Sequence, residues 1–404
     1  MEPKIRFKGF EGEWKEYSLG EVGSIYSGIG FPECEQGGRS GIPFYKVSDM
    51  NNQGNESIMH SSNNYVSDKQ IQRNHWKICS DIPAIFFAKV GAAVMLNRKR
   101  VVLEPCLCDN NTMMFSLSKD KWSTNFALPL FNNVNFPSLA QVGSLPSFNG
   151  SQVKEIKVKL PKLEEQEMVG KYFTSLDSQI SASTSRLASL KQMKAASLQA
   201  MFPQEGETVP KVRFKGFEGE WKKVSFKDFT FHAGTKNRDN LPLESYSISN
   251  EFGFIPQNEQ FENGGTMTQA DKRMYYIVTP NSFAYNPARI NVGSLGYYEG
   301  NKDVIVSSLY EVFKTDNTIC DRFLLYWFKT NIFKNMIEQF QEGGVRLYFF
   351  YDKMCKCLLK RPSYAEQQVI ASYFTSLDHQ ITLQTQRLEK LKQIKSACLD
   401  KMFV

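Results

Sequence analysis

The chain has 404 residues, 41% of them hydrophobic and 23% charged, with a formal net charge of +7. That length suggests two to four domains with ample core, and the composition is that of a soluble globular protein. No stretch is long and apolar enough to cross a bilayer, and the opening MEPKIRFKGFEGEWK lacks the apolar core of a signal peptide, so a cytoplasmic location is expected by default. The mild basic excess is compatible with a nucleic-acid partner without requiring one.

Residues 3–15 read PKIRFKGFEGEWK and residues 210–222 read PKVRFKGFEGEWK, with one difference. The chain is therefore a tandem duplication whose period, about 200 residues, is far too long for a solenoid repeat. The duplicated motif is basic and aromatic: Lys4, Arg6, Phe7, Lys8, Phe10 and Trp14, then Lys211, Arg213, Phe214, Lys215, Phe217 and Trp221. Its Lys and Arg side chains suit phosphate contact. Its aromatics suit docking of the first strand onto the helix that precedes it in the cycle. An identical segment in both halves cannot supply two different specificities.

The first body, 17–158, reads as short strands broken by Gly, Pro and Asn turns, as in IPFYKVSDM (42–50), DIPAIFFAKVGAAVMLNRKRVVL (81–103) and VKEIKVKLP (153–161). Asn97-Arg98-Lys99-Arg100 is expected in a hairpin turn, either as a solvated tip or as a groove-facing contact. GSLPSFNGSQV (143–153) reads as a polar loop.

A long amphipathic helix follows from Leu163 to Phe202. Its apolar seam is Phe173, Leu176, Ile180, Leu187, Leu190 and Met201, with Ser183, Lys194 and Ser197 filling gaps in a three-four rhythm. At ~1.5 Å per residue it is roughly 50–60 Å long, which suits a spacer.

The second body, 224–360, has the same grammar in different letters. QADKRMYYIVTPNSFAYNPARINVGSLGYYEG (269–300) alternates strands with turns, and VIVSSLYEVF (304–313) reads as a buried strand. DRFLLYWFKTNIFKNMIEQF (321–340) reads as one amphipathic helix, and GGVRLYFFYDKM (343–354) as a return to strand. Tyr364 to Phe403 then repeats the long helix, with a seam of Phe374, Leu377, Ile381, Gln384, Leu388, Leu391, Lys395, Cys398 and Met402. About half the aligned positions of the two helices are identical, whereas the bodies share little identity. The expected divisions are 1–160, a spacer helix at 161–204, a second body at 205–361 and a second helix at 362–404.

Two near-identical frames holding two different inserts suit an elongated, roughly two-fold target. Duplex DNA, repeating every 34–36 Å or so, is such a target. The sequence carries no recognisable catalytic constellation. The eight cysteines form no Cys-x-x-Cys pair and the four histidines are scattered, so no metal site is expected. There is no phosphate-binding loop, no Gly-x-Gly-x-x-Gly and no Gly-x-Ser-x-Gly elbow. Glu155-Ile156-Lys157 lacks an upstream Pro-Asp, and Asn286-Pro287-Ala288 lacks the second proline and aromatic of an amino-methyltransferase loop. A binding subunit with no catalytic residues explains the sequence better than an enzyme does.

These residues resemble the specificity subunit of type I restriction–modification systems. The resemblance is carried by LPKLEEQEMVGKYFTSLD (160–177) with its copy RPSYAEQQVIASYFTSLD (361–378), and by the duplicated PK[IV]RFKGFEGEWK. FAKVGAA (87–93), DNNTMMF (109–115) and LPSFNGSQVKEIKVKLP (145–161) are also similar to family segments, and Arg361 in place of Leu160 is a departure. The resemblance implies an α+β chain: two α/β target-recognition domains with twisted sheets, separated by an antiparallel pair of long coiled-coil helices, with an internal pseudo-two-fold. Each body would read one half of a bipartite double-stranded DNA site. The helices would fix the gap and dock two modification subunits, which bind S-adenosylmethionine and methylate adenine, and restriction subunits using ATP and Mg would join. This chain would hold none of these cofactors. The alternative is an assembly scaffold that binds proteins through its two bodies.

Base edges are read mostly in the major groove by Arg, Lys, Asn, Gln, Ser and Thr, while phosphate contacts position the protein. The expected contacts of the first body are Lys46, Ser48, Lys89, Asn97, Arg98, Arg100, Asn110, Asn111, Ser147 and Asn149. Those of the second are Lys272, Arg273, Tyr275, Tyr285, Asn286, Arg289, Asn291, Tyr297, Ser307, Ser308, Arg346 and Tyr348. Helix pairing is expected through Phe173, Leu176, Ile180, Leu187, Leu190, Met201, Phe374, Leu377, Ile381, Leu388, Leu391 and Met402.

Overall fold

The computed structural model describes residues 2–140, 145–250, 252–260, 271–344 and 347–403. Contacts group the chain into two compact units, Met1–Thr184 with Gln386–Val404, and Ser185–Thr385.

The strands of the first unit are β1 (Lys15–Ser18), β2 (Gly23–Ser27), β3 (Ile42–Tyr45), β4 (Tyr65–Val66), β5 (Ala84–Ala88), β6 (Lys99–Val102), β7 (Leu107–Cys108), β8 (Thr112–Leu117) and β9 (Lys157–Leu160). A four-stranded sheet has the order β2-β8-β5-β6, a smaller one the order β4-β3-β7 with β3 and β7 parallel, and β1 pairs β9. The central strands AIFFA and TMMFSL are buried along their whole length because both faces of the sheet are covered. Ile85, Phe87, Met113 and Phe115 pack on one side with Phe126 and Phe131 from the helix Thr124–Asn133. Ala84, Phe86 and Met114 point the other way, onto Tyr45, Met50 and Cys106.

The second unit holds β10 (Lys222–Ser225), β11 (Thr230–His232), β12 (Thr235–Lys236), β13 (Ser245–Ser249), β14 (Gly253–Pro256), β15 (Tyr276–Val278), β16 (Ser282–Tyr285), β17 (Leu295–Tyr298), β18 (Val304–Val306), β19 (Glu311–Thr315) and β20 (Leu358–Arg361). Its four-stranded sheet, β11-β19-β16-β17, repeats the connectivity of β2-β8-β5-β6. β13 and β18 pair in parallel as β3 and β7 do, within a five-stranded sheet, and β10 pairs β20. The bodies therefore share a topology that their residues do not display.

The two long helices run Leu163–Ala200 and Tyr364–Met402. In the first unit Asp177 Oδ1 accepts from Lys395 Nζ at 2.5 Å, and the Tyr172 hydroxyl lies 3.4 Å from Cys398 Sγ. The index rises along one helix as it falls along the other, so the segments pack antiparallel. In the second unit Asp378 Oδ1 accepts from Lys194 Nζ at 2.5 Å, and the Ser197 and Tyr373 hydroxyls are 3.0 Å apart, again antiparallel. Phe173, Leu176, Leu190, Met201, Phe374, Leu377, Leu388 and Met402 are buried, and Ile180, Leu187, Ile381 and Leu391 are half-buried. Gly170 is where the first helix crosses the helix Thr124–Asn133. A Cβ there would stand 2.8 Å from the Asn125 backbone, and the duplicate position is the buried Ala371.

The duplicated basic-aromatic motif is a clasp. Arg6 forks onto the buried Glu165 carboxylate, its Nε to Oε1 at 2.7 Å and its Nη2 to Oε2 at 2.8 Å, and Trp14 Nε1 donates to the same Oε1 at 3.3 Å. Ile5 N–H donates to the Lys401 carbonyl, and the Trp14 ring meets Phe403 edge-on. One short segment thus grips the start of one long helix and the end of the other. In the second unit Arg213 forks onto Glu366, Val212 N–H donates to Ala200 O, and Trp221 meets Phe202. Both arginines are held by carboxylates, which favours the docking role over phosphate contact. Phe7 and Phe214 dock, on Tyr172 and Tyr373. The Gln that follows each Glu seals the junction: Gln166 accepts from Ser123 N–H and donates to Lys121 O and Pro161 O, and Gln367 accepts from Cys320 N–H and donates to Pro362 O.

Four local expectations need correction. Residues 321–340 form two helices, Asp321–Trp327 and Asn331–Phe340, because Thr330 N-caps the second with extended backbone and its hydroxyl donates to Trp327 O. The stretch 304–313 is β18, a turn and the start of β19, closed by Tyr310 N–H to Ser307 O. Lys99 and Arg100 belong to β6 itself, since a helical turn at Ala92–Leu96 and a left-handed Asn97 make the reversal earlier. Among its described residues, 343–354 is not a strand: Tyr348 makes an isolated bridge with Glu342, and Tyr351–Met354 is a helical turn.

Candidate nucleic-acid interface

In each unit the strand topology delivers loops to one end of the sheets. In the first unit β3, β5 and β7 finish where β8 begins. There Asp109 N–H donates to Tyr45 O, and Lys89 and Val90 N–H both donate to Asn111 O. Phe148 N–H donates to Lys89 O, and Val90 bridges Ser147. Backbone hydrogen bonds thereby collect Lys46, Lys89, Asn110, Asn111 and Ser147, from four separate stretches of sequence, at one edge. Asn110 and Asn111 are exposed and Lys46, Lys89 and Ser147 half-buried. Lys46 Nζ donates to Gln36 Oε1 at 3.1 Å. Ser48 is exposed on the turn after β3, and Asn149 Oδ1 caps the helix Gly150–Glu155 through Gln152 N–H.

The cluster is built on Asp109, which sequence reading passed over. Its Oδ2 accepts from Asn111 Nδ2 at 3.3 Å and its carbonyl from Thr112 N–H, which closes the turn. Burial pushes its carboxyl above the usual range, and its Oδ1 is buried without a partner. Gly28 lies against it so closely that a Cβ would sit 1.7 Å from the Asp109 carbonyl oxygen.

Three other expected contacts are engaged within the protein. Asn97 Nδ2 donates to Val134 O and its Oδ1 accepts from Lys99 Nζ and Phe136 N–H. Arg100 Nε donates to Asn55 O at 2.5 Å, and burial lowers its pKa. Arg98 Nη1 donates to Asn51 Oδ1 at 2.7 Å.

The corresponding end of the second unit gathers Asn286, Arg289 and Asn291 after β16, Ser307 and Ser308 after β18, and Lys272 and Arg273 before β15, whose first residue Tyr276 pairs Val306. Phe349 N–H donates to Pro287 O as Phe148 N–H does to Lys89 O, which sets Tyr348 where Ser147 stands. Arg273, Arg289, Asn291 and Ser308 are exposed; Lys272, Asn286, Ser307 and Tyr348 are half-buried. Asn286 Oδ1 accepts from Ala288 N–H and orders its own turn. Tyr285 is fully enclosed in the core beside Phe313. Tyr275 is 4% exposed, and the Tyr297 hydroxyl donates to Asp321 Oδ2 at 2.8 Å. Tyr275 and Tyr285 are therefore core residues at this edge, and Tyr297 faces the other end of the sheet, where its hydroxyl also donates to Asn281 Oδ1. Arg346 lies outside the described residues. Among the described residues no group of three or more His, Cys, Asp or Glu side chains could hold a metal ion, and no helix is long and apolar enough to cross a membrane.

Residues 11–192 and 219–393 each match the family described as "Type I restriction modification DNA specificity domain". A crystal structure of the S subunit of a type I restriction-modification system from M. genitalium aligns over 100% of this chain and 99% of its own, with a TM-score of 0.59 at 12% identity. A chain from a structure on complex assembly and conformational transition of the type I R-M system aligns over 97% of this chain and 98% of its own, with a TM-score of 0.52 at 14% identity. At such identities the likeness is one of fold, and that fold is the two-unit α/β arrangement with long helices. The matched family supplies the role, which is DNA recognition, and does not favour a scaffold that reads no DNA. The chain carries two copies of the domain and belongs to the type I restriction-modification DNA specificity family.

Proposed function

We propose that each unit reads one half of a bipartite double-stranded DNA site through the loop cluster at the ends of its central strands. The observation that carries this is the shared topology of two bodies with unlike residues. Lys89, Asn110, Asn111 and Ser147 stand in one unit where Pro287, Ser308, Leu309 and Tyr348 stand in the other. The same scaffold presenting different donors and acceptors is what reading two different base sequences requires. Lys and Arg at this edge serve phosphates or guanine, and Asn serves adenine. The long helices set the non-specific gap and dock two modification subunits, which bring S-adenosylmethionine for adenine methylation. Restriction subunits bring ATP and Mg chemistry. This chain supplies recognition alone and works in the cytoplasm, where its DNA is.

Mapping methylated adenine across the genome in cells with and without this chain tests the reading. A split motif that disappears with the chain supports it. Methylation that is unchanged when the chain is removed refutes it.

A further inference from the structure

We propose that Leu309 is a specificity-determining residue of the second unit, and that it contacts the 5-methyl group of a thymine in the half-site that unit reads. The proposal rests on the second unit reading DNA and names one of its base contacts.

Leu309 is the most exposed large hydrophobic side chain among the described residues, at 73%. A single exposed leucine is ordinary on a protein surface. Its position in the fold is what gives it meaning. It sits in the turn joining β18 to β19, and the first unit has the same turn joining β7 to β8. Both turns follow a strand that pairs in parallel with its neighbour, β18 with β13 and β7 with β3. Both are closed by the same backbone bond, Tyr310 N–H to Ser307 O at 3.1 Å and Thr112 N–H to Asp109 O at 3.0 Å. Counting from those bonds, Leu309 takes the place of Asn111, and Ser308 that of Asn110.

The turn holds Leu309 outward. Ser307 Oγ accepts the Leu309 N–H at 3.3 Å, and the strands on either side are anchored by the buried Val306 and Val312. An isobutyl group at a base-reading position can neither donate nor accept a hydrogen bond. In the major groove the one base-edge feature it can recognise is the thymine methyl group, and the minor groove offers no such feature. The asparagine at the matching position of the first unit suits adenine instead. One turn thus serves two units with opposite chemistry.

The test uses the full chain purified with its modification subunits, on duplexes carrying the mapped site. Each thymine of the second unit's half-site is replaced in turn by deoxyuracil, which lacks only the methyl group. At one position this replacement weakens binding by the wild type about four-fold, the worth of one buried methyl group. Leu309→Ala binds the thymine and deoxyuracil duplexes equally there. Replacements in the other half-site show no dependence on Leu309. The proposal is overturned if no position couples to Leu309, or if that half-site contains no thymine. It is also overturned if Leu309→Ala weakens all duplexes alike, as a wedge between base steps or a protein contact would. A wild type that does not prefer the mapped duplex to a scrambled one refutes DNA reading itself, a different outcome from loss of coupling alone.

Discussion

At the residue scale, a buried carboxylate gripped by a forked arginine closes each unit, and in the first unit an indole N–H joins it. Glu165 takes a forked Arg6 and the Trp14 indole together. Glu165→Ala removes the forked partner of a part-buried guanidinium that keeps the Gly12 carbonyl, so unfolding of the full chain in denaturant should show a loss of about 1–3 kcal/mol. The double change with Arg6→Ala should cost less than the two single changes added, which a double-mutant cycle reads directly. A second buried amine, Lys99, has no carboxylate beside it among the described residues: its Nζ donates to Asn97 Oδ1 and Val134 O, and burial lowers its pKa to about 7. The unfolded amine titrates near ~10.4. Between those values the unfolded chain binds the extra proton, so this group makes stability rise with pH, by up to about 1.4 kcal/mol per unit. Denaturant unfolding from pH 7 to 9.5 should show that slope in the wild type and its loss in Lys99→Met. An unchanged slope in the variant would contradict the assignment. The clasp was half legible in sequence. The aromatic motif pointed to Trp14 as a docking residue, but Arg6 read as a phosphate contact, because its carboxylate partner lies far along the chain at Glu165 and no local pattern joins the two. The expected contacts Asn97, Arg100 and Tyr285 were misleading for a related reason. Asn97 and Arg100 turn inward onto the carbonyls of Val134 and Asn55, and Tyr285 lies on the core face of β16, and a side chain reads the same in sequence whichever way it faces.

At the element scale, the seam of the long helices was readable because its period follows from helix geometry, and the polar gaps carried information too. Lys194 and Lys395, which interrupt the apolar rhythm, each meet the aspartate of the opposing YFTSLD segment. Both partners are part-exposed, so Asp177→Ala should cost only about 0.5–1 kcal/mol. Asp177→Lys should cost more, and the exchange of Asp177→Lys with Lys395→Asp should recover stability in the same unfolding measurement. Failure of the exchange to recover it would mean the pair does not set the register. What sequence could not show was interruption by capping. Thr330 breaks an amphipathic run whose apolar residues continue on both sides, and Ser307 to Tyr310 fold a turn inside what reads as one strand. In both places a hydrogen bond closed within four residues outcompetes the longer pattern. If the helices set the gap, four residues inserted at matched points of both should lengthen the spacer of the methylated motif by one or more base pairs while leaving both half-sites unchanged. A changed half-site would contradict that role.

At the scale of the whole molecule, the duplication was the plainest signal in the sequence, and the likeness of the two bodies was hidden. Strand order is fixed by which residues are buried, and many apolar choices bury equally well, so Phe86 and Ala284 can occupy matching strands without identity. The loops at the strand ends carry no such constraint and differ freely, and a protein that reads two DNA sequences from one architecture depends on that freedom. The central claim is that the bodies are independent readers. The direct test exchanges residues 17–158 for the same segment of a related specificity subunit and maps methylated adenine in cells carrying the chimera. The account predicts a motif altered in one half only, with the gap and the other half retained. Alteration of both halves, or of neither, would contradict it.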